Sequence, residues 1–155
     1  MSGIRKADIP DMKAIVELGY EMLSQSVYAD LKPDEQKFKL LLAGLMGHKK
    51  GLVLVVVDDN DVPQGFLSGI VEEYSFSRAT YATDFFTYIR KPYRQYAAML
   101  YNKFISWAKT KPRIAFIEFA QSSGMGDHER WCVLMERLGL VKNGSFYVLE
   151  VNKNG

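Results

Sequence analysis

The sequence predicts an α/β protein with a central mixed sheet, mostly antiparallel, and helices on both faces. Three observations point there. The run "LVLVVV" at residues 52–57 is dense in β-branched side chains and suits a strand buried on both faces. Helix patterns recur in four separated segments. A strand at 84–90, a helix and a strand at 113–120 follow one another, an order that forces a parallel pair with a right-handed crossover.

The elements follow in order. Residues 1–6 can open the sheet. Asp8 has the chemistry of an N-cap and Pro10 falls in the first turn of a helix at 9–24, where Met12, Ile15, Val16, Leu18 and Met22 recur at helical spacing. "SVYADLKPDE" interrupts. Pro33 stands near the start of a second helix with Phe38, Leu41, Leu42 and Leu45 on one side, and Gly47 ends it before the cationic "HKK". "GLVLVVVDD" and "GFLSGIVEEYSF" form a hairpin around the turn "DDNDVPQG". "ATYATDFFTYIR" is a third long strand. Pro92 stops it, and the helix that follows carries Ala97, Leu100, Tyr101, Phe104, Trp107 and Ala108 as an apolar stripe. "RIAFIEFA" is a strand, "QSSGMG" a loop, "DHERWCVLMERLGL" a helix closed by Gly139, and "GSFYVLEV" a final strand at 144–151.

Length and charge narrow the class of function. The 155 residues are enough for one domain, spanning 1–155, with a real core. Apolar residues make up 48% and charged residues 25%, an ordinary globular composition. A net charge of +2 is too balanced to drive nucleic-acid binding. The single cysteine, Cys132, excludes an internal disulfide and a cysteine-based zinc cluster. His48 and His128 lack carboxylates at ligand spacing and give no metal signature. No apolar run is long enough to span a bilayer, and "MSGIRKADIPD" has no secretory h-region. A soluble, reducing, cytoplasmic setting fits.

Three strings carry a family resemblance. "GIRKADIPDMKAIVELGYEM" resembles the opening strand and helix of the GNAT superfamily of N-acetyltransferases, in particular its small phage-type members. "FFTYIRKPYRQYAAMLYNKFISWA" resembles the family's strand, Arg-led turn and helix that bind acetyl-coenzyme A. "HERWCVLMERLGL" resembles its last helix. The resemblance implies a GNAT fold whose parallel pair is splayed, with the pantetheine arm adding to the backbone of the first strand at Tyr88, Ile89 and Arg90. It implies that the diphosphate sits on the turn Arg94, Gln95, Tyr96, Ala97, Ala98 and Met99. There the family's Arg/Gln-x-x-Gly-x-Gly/Ala pattern has alanines for glycines. A helix N-terminus offers unpaired N–H groups and a positive dipole end to such an anion.

The implied activity is acetyl transfer from acetyl-coenzyme A to a primary amine of a small molecule or of a protein. The acceptor would lie between residues 22–28, with Ser24, Gln25 and Tyr28 as polar groups, and the strands from Gly65 to Asp84. Such transfer needs a base, and Asp84 and Glu118 are the candidates, each in an apolar strand beside the expected cleft where burial would raise its pKa. Asp84 alternates with Phe86 and Tyr88 in "TDFFTYI". In the family a tyrosine four residues before the last helix's glycine serves as the acid. Here Met135 holds that place, and a thioether donates no proton. Either the thiolate leaves without that donor, or Tyr96, Cys132 or Tyr147 serves, or catalysis is weak. The aromatic residues Tyr74, Phe76, Tyr81, Phe85, Phe86 and Tyr88 are core, with part left to line an acceptor pocket or the face of a homodimer. A GNAT-fold protein that has lost catalysis and binds or builds instead is the alternative. A nucleic-acid or general protein-binding module rests only on the basic clusters at 49–50 and 109–113.

Overall fold

Among the described residues, five strands lie in space in the order in which the chain makes them, so each new strand is laid beside the last. The computed structural model describes residues 2–121 and 127–151. β1 (Gly3–Lys6), β2 (Gly51–Val57), β3 (Pro63–Glu73) and β4 (Thr80–Ile89) pair antiparallel, and β5 (Ile114–Glu118) pairs parallel to β4. Two helices, α1 (Met12–Ser24) and α2 (Glu35–Gly47), join β1 to β2. α3 (Ala97–Lys109) crosses from β4 to β5, and α4 (His128–Arg137) follows β5. This is the mixed sheet with helices on both faces that the sequence predicts.

β2 shows why two helical layers are needed. Every residue from Leu52 to Val57 is buried. Leu52, Leu54 and Val56 face one core, which Leu100, Tyr101, Phe104 and Ala108 of α3 and Met135 of α4 complete. Val53, Val55 and Val57 face the other, closed by Ile15, Val16 and Leu18 of α1 and Leu42 and Leu45 of α2. Alternation sends successive side chains to opposite sides, so a strand apolar at every position demands cover on both. Each fully buried Leu or Phe contributes roughly 1.5–3 kcal/mol. Gly69 of β3 lets α3 sit close. A Cβ there would run into the Phe104 ring and come within 2.7 Å of the Thr83 carbonyl oxygen.

Local chemistry fixes the element ends. Asp34 caps α2 by accepting the Lys37 N–H at 3.0 Å. Arg5 of β1 grips the buried Asp11 carboxylate with two nitrogens, at 2.8 and 3.0 Å, and holds it below the usual carboxylate range. That clamp fixes the entry into α1.

Three details differ from the sequence reading. The helix expected directly after Pro92 starts with a 3-10 stretch, Lys91–Tyr96, and becomes α-helical only at Ala97. Phe85 is an extra residue. Ser68 of β3 faces Phe86 and Gly69 faces Asp84, which leaves Phe85 without a partner as a β-bulge. The strand expected at 144–151 does not form; residues 140–151 enter no ladder. The strand pattern is there, but a strand exists only where a neighbour takes its hydrogen bonds. The loop expected at 121–126 lies, apart from Gln121, outside the described residues.

Candidate active site

A gap opens where the parallel pair parts. β4 runs for ten residues, but its ladder with β5 covers only Thr80 to Thr83. Beyond that point the β5-side edge of β4 is left without a strand among the described residues. The Arg90 N–H points the other way and donates to the Gln64 carbonyl at 3.0 Å. Alternation turns Tyr88 the same way and leaves the backbone groups of Thr87 and Ile89 facing the gap. Of the three residues expected to offer backbone to an extended ligand, Ile89 is therefore the one whose N–H and C=O are so directed.

Asp84 stands at the apex of this gap, the first β4 residue past the ladder. The bulge at Phe85 decides what shares its face. Before the bulge Ala82 faces the core under α3; after it, Ile89 does. Thr87 falls on that side too, and its hydroxyl donates to the Asp84 carboxylate at 2.6 Å. Phe86 and Tyr88, expected on the Asp84 face by simple alternation, instead pack against the α1–α2 core. Burial pushes the Asp84 carboxyl up to about 6, against the opposing pull of the Thr87 hydrogen bond. A carboxylate near neutrality can take a proton and return it.

Tyr101 of α3 comes down on the same face. It is buried, and its hydroxyl accepts the indole N–H of Trp131 from α4 at 3.1 Å. Burial first, then the Asp84 charge, holds this phenol protonated far above the usual tyrosine range. Two polar pairs, Thr87 with Asp84 and Trp131 with Tyr101, thus stand on the α3 side of the gap. One turn along α4, the Cys132 sulfur lies 3.5 Å from His128 Nε2, and the His128 ring stacks on Trp131 at 6.4 Å between centroids. Met135 is buried in the core. Tyr147, one of the substitutes considered for its missing acid, is exposed in the tail.

The turn after β4 carries cationic side chains more than free amides. Tyr93 N–H bonds Arg90 carbonyl at 2.9 Å and Ala97 N–H bonds Arg94 carbonyl, as 3-10 geometry requires. Arg94, Gln95, Ala98 and Met99 are exposed. No residue from 90 to 99 has positive φ, so the alanines that replace glycines at 97 and 98 carry no backbone strain. Tyr96 folds away from the gap, toward β1 at the far edge of the sheet, with its hydroxyl 2.6 Å from Ser2 Oγ. Arg94 reaches the Asp127 carboxylate at 2.8 Å, tying this turn to the start of α4.

The remaining predicted residues lie on the other face. Glu118 is exposed, not buried. It accepts the Tyr74 hydroxyl at 3.1 Å in an uncovered aromatic group that includes Tyr81 and Phe116. Its place in the ladder, opposite Thr83 and not Asp84, turns it from the gap. At the end of α1 the Ser24 hydroxyl is spent on the Glu21 carbonyl, while Gln25 donates to the Tyr88 hydroxyl at 3.1 Å. Tyr28 is half-buried, its N–H on Ser26. The Arg90 guanidinium pairs with Glu21 and with Gln64, at 2.9 Å, and its hydrogen bonds hold Glu21 below the usual carboxylate range. A hollow of about 730 Å³ lies at the Glu73 end of β3 between Leu40, Gly44, His48 and Glu72, away from Asp84. It brings no buried acid or base to a reacting group, so the gap and not this hollow is the candidate site.

Sequence reasoning missed Tyr101, Thr87, Trp131 and Glu21. Tyr101 is hidden in an apolar stripe, and its hydroxyl is the one sign that could have set it apart.

No protein-family model matches the chain, and no curated protein matches it significantly. Solved structures do. Glucosamine-6-phosphate N-acetyltransferase from Arabidopsis thaliana is 13% identical with a TM-score of 0.72, over 97% of this chain and 98% of that one. AAC(6')-Iy, in complex with the bisubstrate analog CoA-S-monomethyl-acetylneamine, is 11% identical with a TM-score of 0.72, over 98% and 99%. A GNAT family acetyltransferase from Staphylococcus aureus is 17% identical with a TM-score of 0.61, over 97% and 100%. The fold is the GNAT fold.

Proposed function

We propose that this chain is an acetyl-coenzyme A-dependent N-acetyltransferase acting on a primary amine, of a small molecule or of a protein. The observation that carries the reading is Asp84, a half-buried carboxylate held by the Thr87 hydroxyl and pushed up to about 6 by desolvation, at the apex of the gap between β4 and β5. The acetyltransferase neighbours support the reaction class, and the glucosamine-6-phosphate in one name and the acetylneamine bisubstrate analog bound by the other support an amine acceptor. Amide formation breaks the thioester carbon–sulfur bond as the amine nitrogen joins the carbonyl carbon. Asp84, directly or through water, takes the amine proton. Tyr101, with its hydroxyl kept protonated, gives a proton to the departing sulfur in place of the tyrosine that Met135 replaces.

The pantetheine arm would lie along the exposed backbone at Ile89. Lys91, Arg94 and Gln95 would hold the phosphates, with Ala97 and Ala98 allowing close approach and Met99 flanking them. The acceptor would enter from the α1 side, where Glu21, Gln25 and Tyr88 gather, with Tyr28 beyond the end of α1. Glu21 could meet an ammonium group before the base acts on it. A cytoplasmic setting, where acetyl-coenzyme A is made and used, fits this chemistry.

Titration calorimetry with coenzyme A at neutral pH is the test. Saturable heat is expected, weakened about five- to tenfold in Arg94→Ala through loss of one phosphate contact worth about 1 kcal/mol. No heat from the parent chain would refute the reading. A second reading is a GNAT-fold protein, of phage type, that binds or builds without catalysing. The 3-10 amides already bonded at Tyr93 and Ala97 favour it, as does Arg94 held by Asp127. It predicts a folded chain with no release of free thiol from acetyl-coenzyme A across a panel of amines.

A further inference from the structure

We propose, resting on the coenzyme reading, that Asp127 is the standing partner of Arg94: it holds the guanidinium until the coenzyme diphosphate takes it, and then turns back to cap α4. Three observations on one residue carry the inference. The first is its backbone. Asp127 stands at the N-cap of α4 with φ 40° and ψ 32°, in the left-handed region. N-cap residues ordinarily have extended dihedrals, and a left-handed residue other than glycine is held there at a cost.

The second is its side chain. Aspartate is among the best N-caps because its carboxylate accepts N–H groups of the first turn. The Asp127 carboxylate caps none of them, although its own carbonyl accepts the Trp131 N–H at 3.1 Å and so opens the helix. α4 has an acid at the capping position and does not use it. The third is where that carboxylate has gone. It accepts Arg94 Nη1 at 2.8 Å, across 33 residues of chain. Arg94 leads the turn after β4, and Asp127 is its one ion-pair partner among the described residues.

Such a pair exchanges easily. The two side chains are 40% and 53% exposed, and an ion pair so open to water and salt is weak. A diphosphate brings more charge and several acceptor oxygens, which suit a guanidinium better than one carboxylate oxygen does. The released carboxylate has somewhere to go. A return of Asp127 to extended dihedrals brings it over the Glu129 and Arg130 N–H groups, at the positive end of the helix. Both anions then rest on donors, and the left-handed residue is relieved. Trp131, bonded to Asp127 through the backbone, also gives its indole N–H to the Tyr101 hydroxyl. The exchange thus begins on the phosphate turn and ends at the start of the helix that holds the proposed acid.

The test is calorimetry of the full chain with coenzyme A. Asp127→Asn keeps a capping oxygen and drops the charge. It should bind coenzyme A about three- to fivefold more tightly than the parent, the scale of a surface ion pair that no longer competes. Damage to the fold would weaken binding, so a gain reads the competition alone. In an Arg94→Ala background the same substitution should gain nothing. Amide exchange followed by NMR gives the second arm. Coenzyme A should slow exchange at Glu129 and Arg130 in the parent and leave it unchanged in Asp127→Ala. A parent that binds coenzyme A while Asp127→Asn binds no better overturns the proposal and leaves the coenzyme reading standing. A gain that persists without Arg94 overturns it as well, since it then reflects general charge. Tighter binding with no slowing at the two amides overturns the return to α4. No heat from the parent overturns this proposal and the coenzyme reading together.

Discussion

Replacing Asp84 by asparagine should make the protein more stable and less active at once. The carboxyl rises from its ordinary 3.8 to about 6 in the fold, chiefly through burial. A group that binds its proton more tightly folded than unfolded favours the fold while it is protonated. Stability is therefore highest below about pH 4, declines as pH rises toward 6 and levels off above. The rise corresponds to roughly 3 kcal/mol at neutral pH, an upper figure because solvent relaxation softens the burial penalty. Asparagine keeps the shape, and its carbonyl oxygen can still accept the Thr87 hydroxyl. It has no charge to bury. Urea unfolding followed by tryptophan fluorescence at pH 7.5 should show Asp84→Asn more stable by about 2–3 kcal/mol. Below pH 4 the two proteins should coincide. Acetyl transfer should fall about 10²- to 10⁴-fold, the usual worth of a positioned base. Equal stability at pH 7.5, or a gap that persists unchanged into acid, would refute the reasoning about burial whatever the activity shows.

Two further outcomes follow from the same geometry. Tyr101→Phe leaves the Trp131 indole N–H without its acceptor and should cost about 1–2 kcal/mol in urea unfolding; in transfer assays it should lower the maximal rate more than the Michaelis constant. Gly69→Ala forces a methyl group onto the Phe104 ring and the Thr83 carbonyl, and should lower stability by about 1–3 kcal/mol or more, read as a drop in melting temperature.

What the sequence makes legible is what depends on local pattern. The all-apolar run of β2 implies two covered faces, and two cores meet there. The order of strand, helix and strand implies a parallel pair, and β4 and β5 form one. Asp84 could be picked out because a carboxylate inside an apolar strand is costly unless it has work to do. What stays hidden depends on register and on partners. "DFFTYI" carries no mark that Phe85 is the extra residue, so Phe86 and Tyr88 look like neighbours of Asp84 when they belong to the opposite core. Glu118 looks like Asp84 in its strand, yet pairing with Thr83 sends it to the exposed face. An α-helical and a 3-10 start after Pro92 differ by one hydrogen-bond step that composition does not encode. Phe146 to Leu149 have the composition of a strand and still enter no ladder.

The unpaired Phe85 makes this stretch tolerant of exchange and intolerant of counting. Most side chains between Gly65 and Ile89 could be swapped for others of like size while the pleat stays in step. Losing one residue at position 85, however, would invert everything downstream: the threonine beside the acid and the isoleucine under α3 would trade sides with an aromatic pair. Variation in this chain's descendants should accordingly be read here in substitutions, while insertions and deletions accumulate elsewhere along the strand's connections.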